Sequence, residues 1–558
     1  MKNIFLKTAM ASILCMGLAS CADDLNISSI DPQSSPSYNV ESLLAKQYAT
    51  LGLTGQKGAA GSADLSMDEG ESGFYRTVFN LQELPTDECI WAWQTDNDIP
   101  ALTNINWNSS SDRVKWTYFR LSYDITLHNQ FITEQAGKVS DDQMAEVRFL
   151  RALAYYYYLD LFHKAPFKDT FDSELPVEKA GKDLYDWIDQ ELTTIEPMMA
   201  EVGAYNNSAN FGRADRGAAY ALHARLALNS EVYTDGATKD YQKAIDYCNK
   251  IFQANKYELS KNAKNGYSGY AQVFMGDNDE NTQAMKEIIF PIRQDGKKTR
   301  QYGGSTYLVN SMRGAGMPYM STSNGWTCNF ARKDLVEKFF PNDDIPMATA
   351  DDVALLPEGA TEADVIAVDN EKGISTKDVI AKAGDQRAMF YMGVGGGLRK
   401  LSPGKQIAGF LGGASIVKWS NFRTDGTIKN PGEYADVDIP LFRLAEIYLT
   451  RAEAYHRLGQ DGLALSDLVE IQKRAGRTDL STSVDDETLI DEWCREFYME
   501  GRRRSDLVRF GLFTGSQYLW DFKGGQPGGT GIASKFNIYP IPSIDIEGNP
   551  NMHQNPEY

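Results

Sequence analysis

Histidine and cysteine are scarce in this chain of 558 residues, at five and six copies, and their spacing argues against several functions at once. His128, His163, His223, His456 and His553 are scattered and form no H-E-x-x-H, so each reads as structural. Cys89, Cys248, Cys328 and Cys494 include no C-x-x-C pair and no dense framework, which indicates neither zinc nor a disulfide scaffold. Positive charge is short as well. With 76 acidic against 56 basic residues the net charge is −20, which repels a polyanion and disfavours nucleic acid as a partner. The one dense basic run, Arg502-Arg503-Arg504, lies among Glu496, Glu500 and Asp506 and reads as a salt-bridged helix surface. Past the amino-terminal segment no run is long and apolar enough to cross a bilayer. The Gly393-Val394-Gly395-Gly396-Gly397 stretch is no phosphate loop, because Gly404-Lys405 is followed by Gln406 where Ser or Thr is needed.

What the chain has in quantity is aromatic side chain: 29 Tyr, 25 Phe and 9 Trp, enough to fill a core and still expose rings. Its first residues combine Lys2 and Lys7 with an apolar stretch from Ala9 to Leu18, too short to span a membrane, which predicts a signal peptide over residues 1–20. Leu18-Ala19-Ser20-Cys21 looks like a bacterial lipobox, which implies cleavage before Cys21 and lipidation of that residue. The other reading is an ordinary signal peptide with an incidental cysteine. Asp23 and Asp24 are similar to the acidic signal that routes some bacterial lipoproteins to the cell surface, so an anchor in the outer membrane, facing outward, is expected.

Helical periodicity is strong from Asp142 to Phe162, where apolar residues recur every three or four positions. Four consecutive tyrosines, Tyr155 to Tyr158, point in all directions on a helix and are expected to pack in the core. Leu449 to Gly459 followed by Ala464, Leu468 and Ile471, and earlier Ala218 to Leu228 followed by Tyr241 to Ile251, are similar to tetratricopeptide units. The expected fold class is therefore mostly α, a tetratricopeptide-like helical repeat scaffold with large loop-rich insertions. One domain over 21–558 is expected, with scaffold over about 140–270 and 438–515 and loop-rich ligand-binding regions over about 60–110 and 267–437.

Several residues in the loops stand out. Trp91 and Trp93, at i and i+2 on an extended segment, should share a face, with Asp96 and Asn97 beside them; a buried strand is the competing reading. Trp326 in Asn324-Gly325-Trp326-Thr327 and Tyr302 before Gly303-Gly304 have little apolar company and should be exposed. Asp277-Asn278-Asp279-Glu280-Asn281 has oxygen density but fails the EF-hand pattern, with Thr282 at the glycine position and Ile288 at that of the bidentate Glu.

Asp68 to Arg76, Trp91-Ala92-Trp93, Tyr302-Gly303-Gly304 and Asn324-Gly325-Trp326 resemble the glucan site of the SusD/RagB family's starch binders. Glu496 to Leu507, Tyr539-Pro540-Ile541-Pro542 and Gln554-Asn555-Pro556 are similar to the family's scaffold, so the likeness runs over nearly the whole chain. The resemblance implies a non-catalytic protein that captures starch and malto-oligosaccharides for a SusC-like TonB-dependent outer-membrane transporter. It implies an arc of Trp93, Tyr302 and Trp326 with Trp91 packed close, and sugar hydroxyls bonded by Arg76 and Asp68. Asp96 departs from the family's sugar-contacting Asn and can only accept when ionised. No cofactor is needed for chemistry; the resemblance points to a structural calcium on Asp279, Asp436 and Asp438. Two other functions stay open from the residues: a peptide- or haem-acquiring lipoprotein on the same fold, and a glycoside hydrolase, which would need two carboxylates at a defined separation.

Overall fold

The computed structural model describes residues 39–55, 63–65, 70–206, 209–314, 316–402, 404, 407 and 409–558. The signal peptide, Cys21 and Asp68 lie outside them. Chain contacts divide the molecule into Met1–Lys46, whose described part opens helix α1, and Gln47–Tyr558, which carries the other elements.

Helix α1 (Val40–Gly52) and α2 (Phe74–Glu83) precede strand β1 (Cys89–Trp91) and a long helical hairpin, α3 (Asp112–Glu134) with α4 (Asp141–Phe162). Strands β2 (Lys164–Phe167) and β3 (Val177–Ala180) lead to α5 (Gly181–Ile195) and a second pair, α6 (Arg216–Leu228) and α7 (Tyr241–Ala254). The middle third holds β4 (Ile288–Ile292), α8 (Ser305–Ser311), β5 (Asn329–Ala331), α9 (Glu362–Lys372), α10 (Thr376–Ala383), β6 (Phe390–Tyr391) and β7 (Ala414–Ile416). Strand β8 (Ile439–Arg443) returns to the scaffold through α11 (Leu444–Arg457), α12 (Asp461–Arg474), α13 (Asp486–Phe497) and α14 (Arg503–Arg509).

The helical pairs form for legible reasons. Ser140 caps α4 in a reciprocal box with Gln143, and Asp215 accepts from the first amides of α6. Helix α6 buries Ala218, Ala221, Ala224 and Ala227, small enough for α7 to lie close, and α7 in turn packs on α11. Stacked this way, the pairs build the mostly helical, tetratricopeptide-like scaffold. Tyr155 to Tyr158 are all buried in the core. Cys89, Cys248, Cys328 and Cys494 are buried free thiols.

Helix begins earlier than periodicity indicated, because α3 alternates its buried residues with Arg113, Arg120 and Asp124, buried polar groups that blur an apolar stripe. The stretch over 267–437 is also less loop-like than its composition. It contributes β5, β6 and β7 to a four-stranded antiparallel sheet in the order β1-β5-β7-β6, and β4 pairs with β8 across a register shift.

Arg502, Arg503 and Arg504 are ion-paired or bonded, but not on a surface. Arg503 is buried and grips Asp87 through Nε and Nη2 at 2.8 and 2.7 Å, and Arg502 reaches Asp506 and Glu446. Their partners are themselves buried, which draws the guanidinium groups inward. A larger cluster centres on Glu496, which pairs with Arg387, Arg443 and Arg474, while Glu492 takes Arg387 at 2.6 Å. Burial pushes the Glu496 carboxyl up, but Arg474, Arg443 and Arg387 together hold it well below the usual carboxylate range. Breaking such a buried cluster by removing one charge costs about 3–5 kcal/mol. Glu496→Gln is therefore expected to lower the urea midpoint strongly at unchanged slope. Lys182→Ala, which breaks the exposed Lys182–Asp186 pair, is expected to leave the midpoint unchanged.

Candidate functional site

Two backbone crossings position the aromatic loops. Gly73, at the start of α2, lies against Gly303: a Cβ on Gly73 would come within 2.7 Å of the Gly303 Cα. That contact lets the Arg76 amide donate to the Gly303 carbonyl at 3.0 Å and fixes the neighbouring Tyr302. At the far end of α8 the amides of Trp326, Thr327 and Cys328 donate to the carbonyls of Asn310, Arg313 and Ser311 at 2.7, 2.8 and 2.8 Å. These carbonyls belong to the last turn of α8 and the residues just after it, so α8 sets where Trp326 stands.

Trp93 is 45% exposed and its indole Nε1 donates to the Trp326 carbonyl at 3.3 Å. Tyr302 and Trp326 are half-buried neighbours, with ring centroids 5.5 Å apart and planes at 69°. Of the three residues expected to form an arc, Tyr302 and Trp326 are ring neighbours and Trp93 adjoins Trp326 through its backbone carbonyl. Phe410, 45% exposed, extends it edge-on to Trp93 at 5.1 Å, and Tyr434 extends it beyond Tyr302 at 5.6 Å. Polar groups rim the same surface. The Tyr302 hydroxyl donates to Glu433 at 3.1 Å, and Asn324 Nδ2 donates to the same carboxylate at 3.2 Å. Partial burial, then hydrogen bonds to Tyr434 and Glu433, push the Tyr302 phenol up, so it is a neutral donor at ordinary pH. Phe410, Glu433 and Tyr434 were not foreseen. Pro431-Gly432-Glu433-Tyr434 carries the same signal as Trp326, an aromatic near glycine in a polar loop.

Trp91 and Trp93 do not share a face. Strand β1 ends at Trp91 and Ala92 bends, which breaks the two-residue alternation. Trp91 is buried and stacks on Tyr307 at 6.0 Å, beneath the arc. Asp96 accepts from the Trp91 indole at 3.0 Å, so its carboxylate secures that buried ring. Arg76 also belongs to the floor. It is buried, lies 4.5 Å from the Tyr307 ring centroid, and donates to Glu71 at 3.0 Å and the Tyr302 carbonyl at 3.3 Å. Its fork positions Tyr302 and is largely occupied by the protein.

The carboxylates expected to hold calcium, Asp279, Asp436 and Asp438, are bonded to the protein's own donors. Arg293 bridges Asp279 and Asp438, with Nη2 and Nε each 2.9 Å from a carboxylate oxygen. Asp436 is engaged instead by the amides of Gly296 and Asn430, at 2.9 and 3.0 Å, and by the Asn430 side chain. Among the described residues no three metal-ligating side chains gather. Burial, with the neighbouring Asp279, raises the Asp438 carboxyl to about 7 even against the pull of Arg293, so that guanidinium offsets the buried charge only in part. The thermal midpoint is expected to be the same in millimolar calcium and in chelator. Arg293→Gln is expected to lower it and to make it respond to calcium.

The SusD family model matches residues 286–558. Over its whole length the chain is 54% identical to the starch-binding protein SusD of Bacteroides thetaiotaomicron, covering 99% of that protein. Among solved structures, a SusD-like protein from Bacteroides fragilis aligns at a TM-score of 0.64 and 19% identity, over 95% of this chain and 100% of that one. Surface glycan-binding protein A from Bacteroides thetaiotaomicron, in complex with laminarihexaose, aligns at 0.63 and 17%, over 92% and 98%. With a full-length relative at that identity, the chain belongs to the SusD family.

Proposed function

We propose that this protein is a non-catalytic binder of starch that captures α-1,4-glucan chains on the aromatic surface of Trp93, Trp326 and Tyr302. The observation that carries this reading is the mutual tilt of the rings. Tyr302 meets Trp326 at 69° and Trp93 meets Phe410 at 83°. Tilted neighbours suit a chain that coils, each glucose laying its C–H face on a differently directed ring, whereas a flat glycan would need a coplanar platform. Glu433 and Asn324 at the rim offer hydrogen bonds to hydroxyls. The naming of a full-length relative as a starch-binding protein supports the same ligand. Glu71 is bonded to Arg76 beneath the arc, and Asp68 is proposed as a further polar contact to the glucan.

Held by lipid on Cys21 in the outer membrane and facing outward, the protein would pass malto-oligosaccharides to a SusC-like TonB-dependent transporter. The lipobox-like Leu18-Ala19-Ser20-Cys21 supports a covalent lipid as its attachment; no helix among the described residues is long and apolar enough to cross a membrane. Cys21→Ala is expected to shift the protein from the membrane to the soluble fraction of cells.

Native electrophoresis tests the ligand. Amylopectin in the gel is expected to retard the protein while dextran does not, and Trp326→Ala is expected to weaken the effect roughly tenfold, as loss of a central aromatic anchor does. No retardation by amylopectin would remove starch as the ligand. Shorter products from maltoheptaose, lost on changing one carboxylate, would overturn the non-catalytic reading.

A further inference from the structure

A cavity of about 570 Å³ opens away from the aromatic arc, between the 263–275 segment, the start of α10 and the chain after β7. None of the arc residues lines it. Its volume is in the range of small-ligand sites. In a chain of net charge −20 its lining is unusual: Arg313, Lys377 and Lys418 contribute, and no Asp or Glu does.

The cations differ in how they are compensated. Lys418 is neutralised by Glu500 at 2.6 Å. Arg313 is buried, yet its guanidinium meets only the backbone carbonyls of Ile416, Val417 and Trp419, and its Nε is left without a partner. Burial pulls its pKa down to about 10, with no carboxylate to hold it up. The exposed Lys377 has no ion pair among the described residues. Acids on the flanking elements face other donors: Glu362 accepts from the Tyr319 amide, Asp369 from Tyr391 and Val394, Asp277 from Thr424, and Asp378 caps α10 through Ser375. Two positive charges therefore stand at one cavity with no carboxylate partner, and for the buried Arg313 that is unfavourable unless an anion answers it.

The rest of the wall describes the remainder of a ligand. Tyr267, Tyr319 and Phe422 supply ring surface, and Asn370 and Thr376 supply amide and hydroxyl groups. Tyr319 is half exposed and held at φ +62°, a left-handed conformation unusual for a ring-bearing residue and associated with functional positions. Rings with hydroxyl and amide partners suit a sugar, and the charge suits a carboxylate.

We propose that this cavity is a second ligand site, distinct from the aromatic arc, that takes a short carboxylate-bearing saccharide of the uronic-acid class. The inference goes beyond the starch reading and stands without it. Calorimetric titration of the purified chain with a uronic-acid disaccharide, beside maltose as neutral control, provides the test. Binding of the acidic disaccharide alone is expected, weakened at least threefold by Tyr319→Ala and by Lys377→Gln, reduced by added salt, and unchanged by Trp326→Ala. Both cavity variants alter exposed side chains, so they keep the proposal testable even where Arg313→Gln does not fold. No binding of the acidic disaccharide, equal binding of maltose, loss of binding in Trp326→Ala, or indifference to both cavity substitutions would each overturn the proposal.

Discussion

Glu496 accepts charge from three arginines that reach it from separate parts of the chain. Arg387 stands just before β6, Arg443 ends β8, and Arg474 closes α12. The same guanidinium groups continue to Glu492, Glu287, Glu500 and Asp385, so the middle third and the helical scaffold are tied through buried charges. Each of these groups is costly alone in an apolar interior and acceptable only with its partners in place. The arrangement therefore imposes geometry as much as it contributes stability: a shift of β8 against α13 would leave several charges unpaired at once.

The aromatic surface inherits that constraint. Its rings stand on three segments joined by backbone bonds, the Gly73–Gly303 crossing, the end of α8 and the ladder from β1 to β5. Beneath them Arg76 and Arg113 share Glu71, and Trp91 stacks on Tyr307, so cation, ring and carboxylate form a closed floor. At the outer edge Arg399 holds the loop that carries Phe410 by donating to the carbonyls of Gly413, Phe410 and Gly412. Arginine recurs as the residue that fixes irregular backbone here, because its planar fork satisfies two or three carbonyls together.

The scaffold was legible where pattern and packing agree, as in α4, α6, α7, α11 and α12, whose apolar spacing follows local rules, with side-chain caps at α4 and α6. Helix α3 was hidden because its buried face includes charged residues, and α9 and α10 because their apolar stripes are thin. Their boundaries were nonetheless written in the chain: Thr361 with Asp364, and Ser375 with Asp378, are capping boxes, and Gly373 and Gly384 close the helices in left-handed turns. Trp326 and Tyr302, expected to be exposed from their polar glycine-bearing loops, are half-buried, and spacing left Trp93 open between an exposed face and a buried strand. That Trp91 turns inward depends on a bend at Ala92, and that Arg293 lies between Asp279 and Asp438 depends on contacts distant in sequence. Neither can be read from spacing alone.

The indole of Trp93 is exposed but not free, since its one donor is already bonded to the Trp326 carbonyl. Tyr302 is similarly held through Glu433 and Tyr434. A molecule settling on these rings has few rotamers to freeze and few protein bonds to break, so little ordering accompanies its arrival. A surface so fixed favours rapid exchange of a bound glycan, with contact times that lengthen as more rings engage.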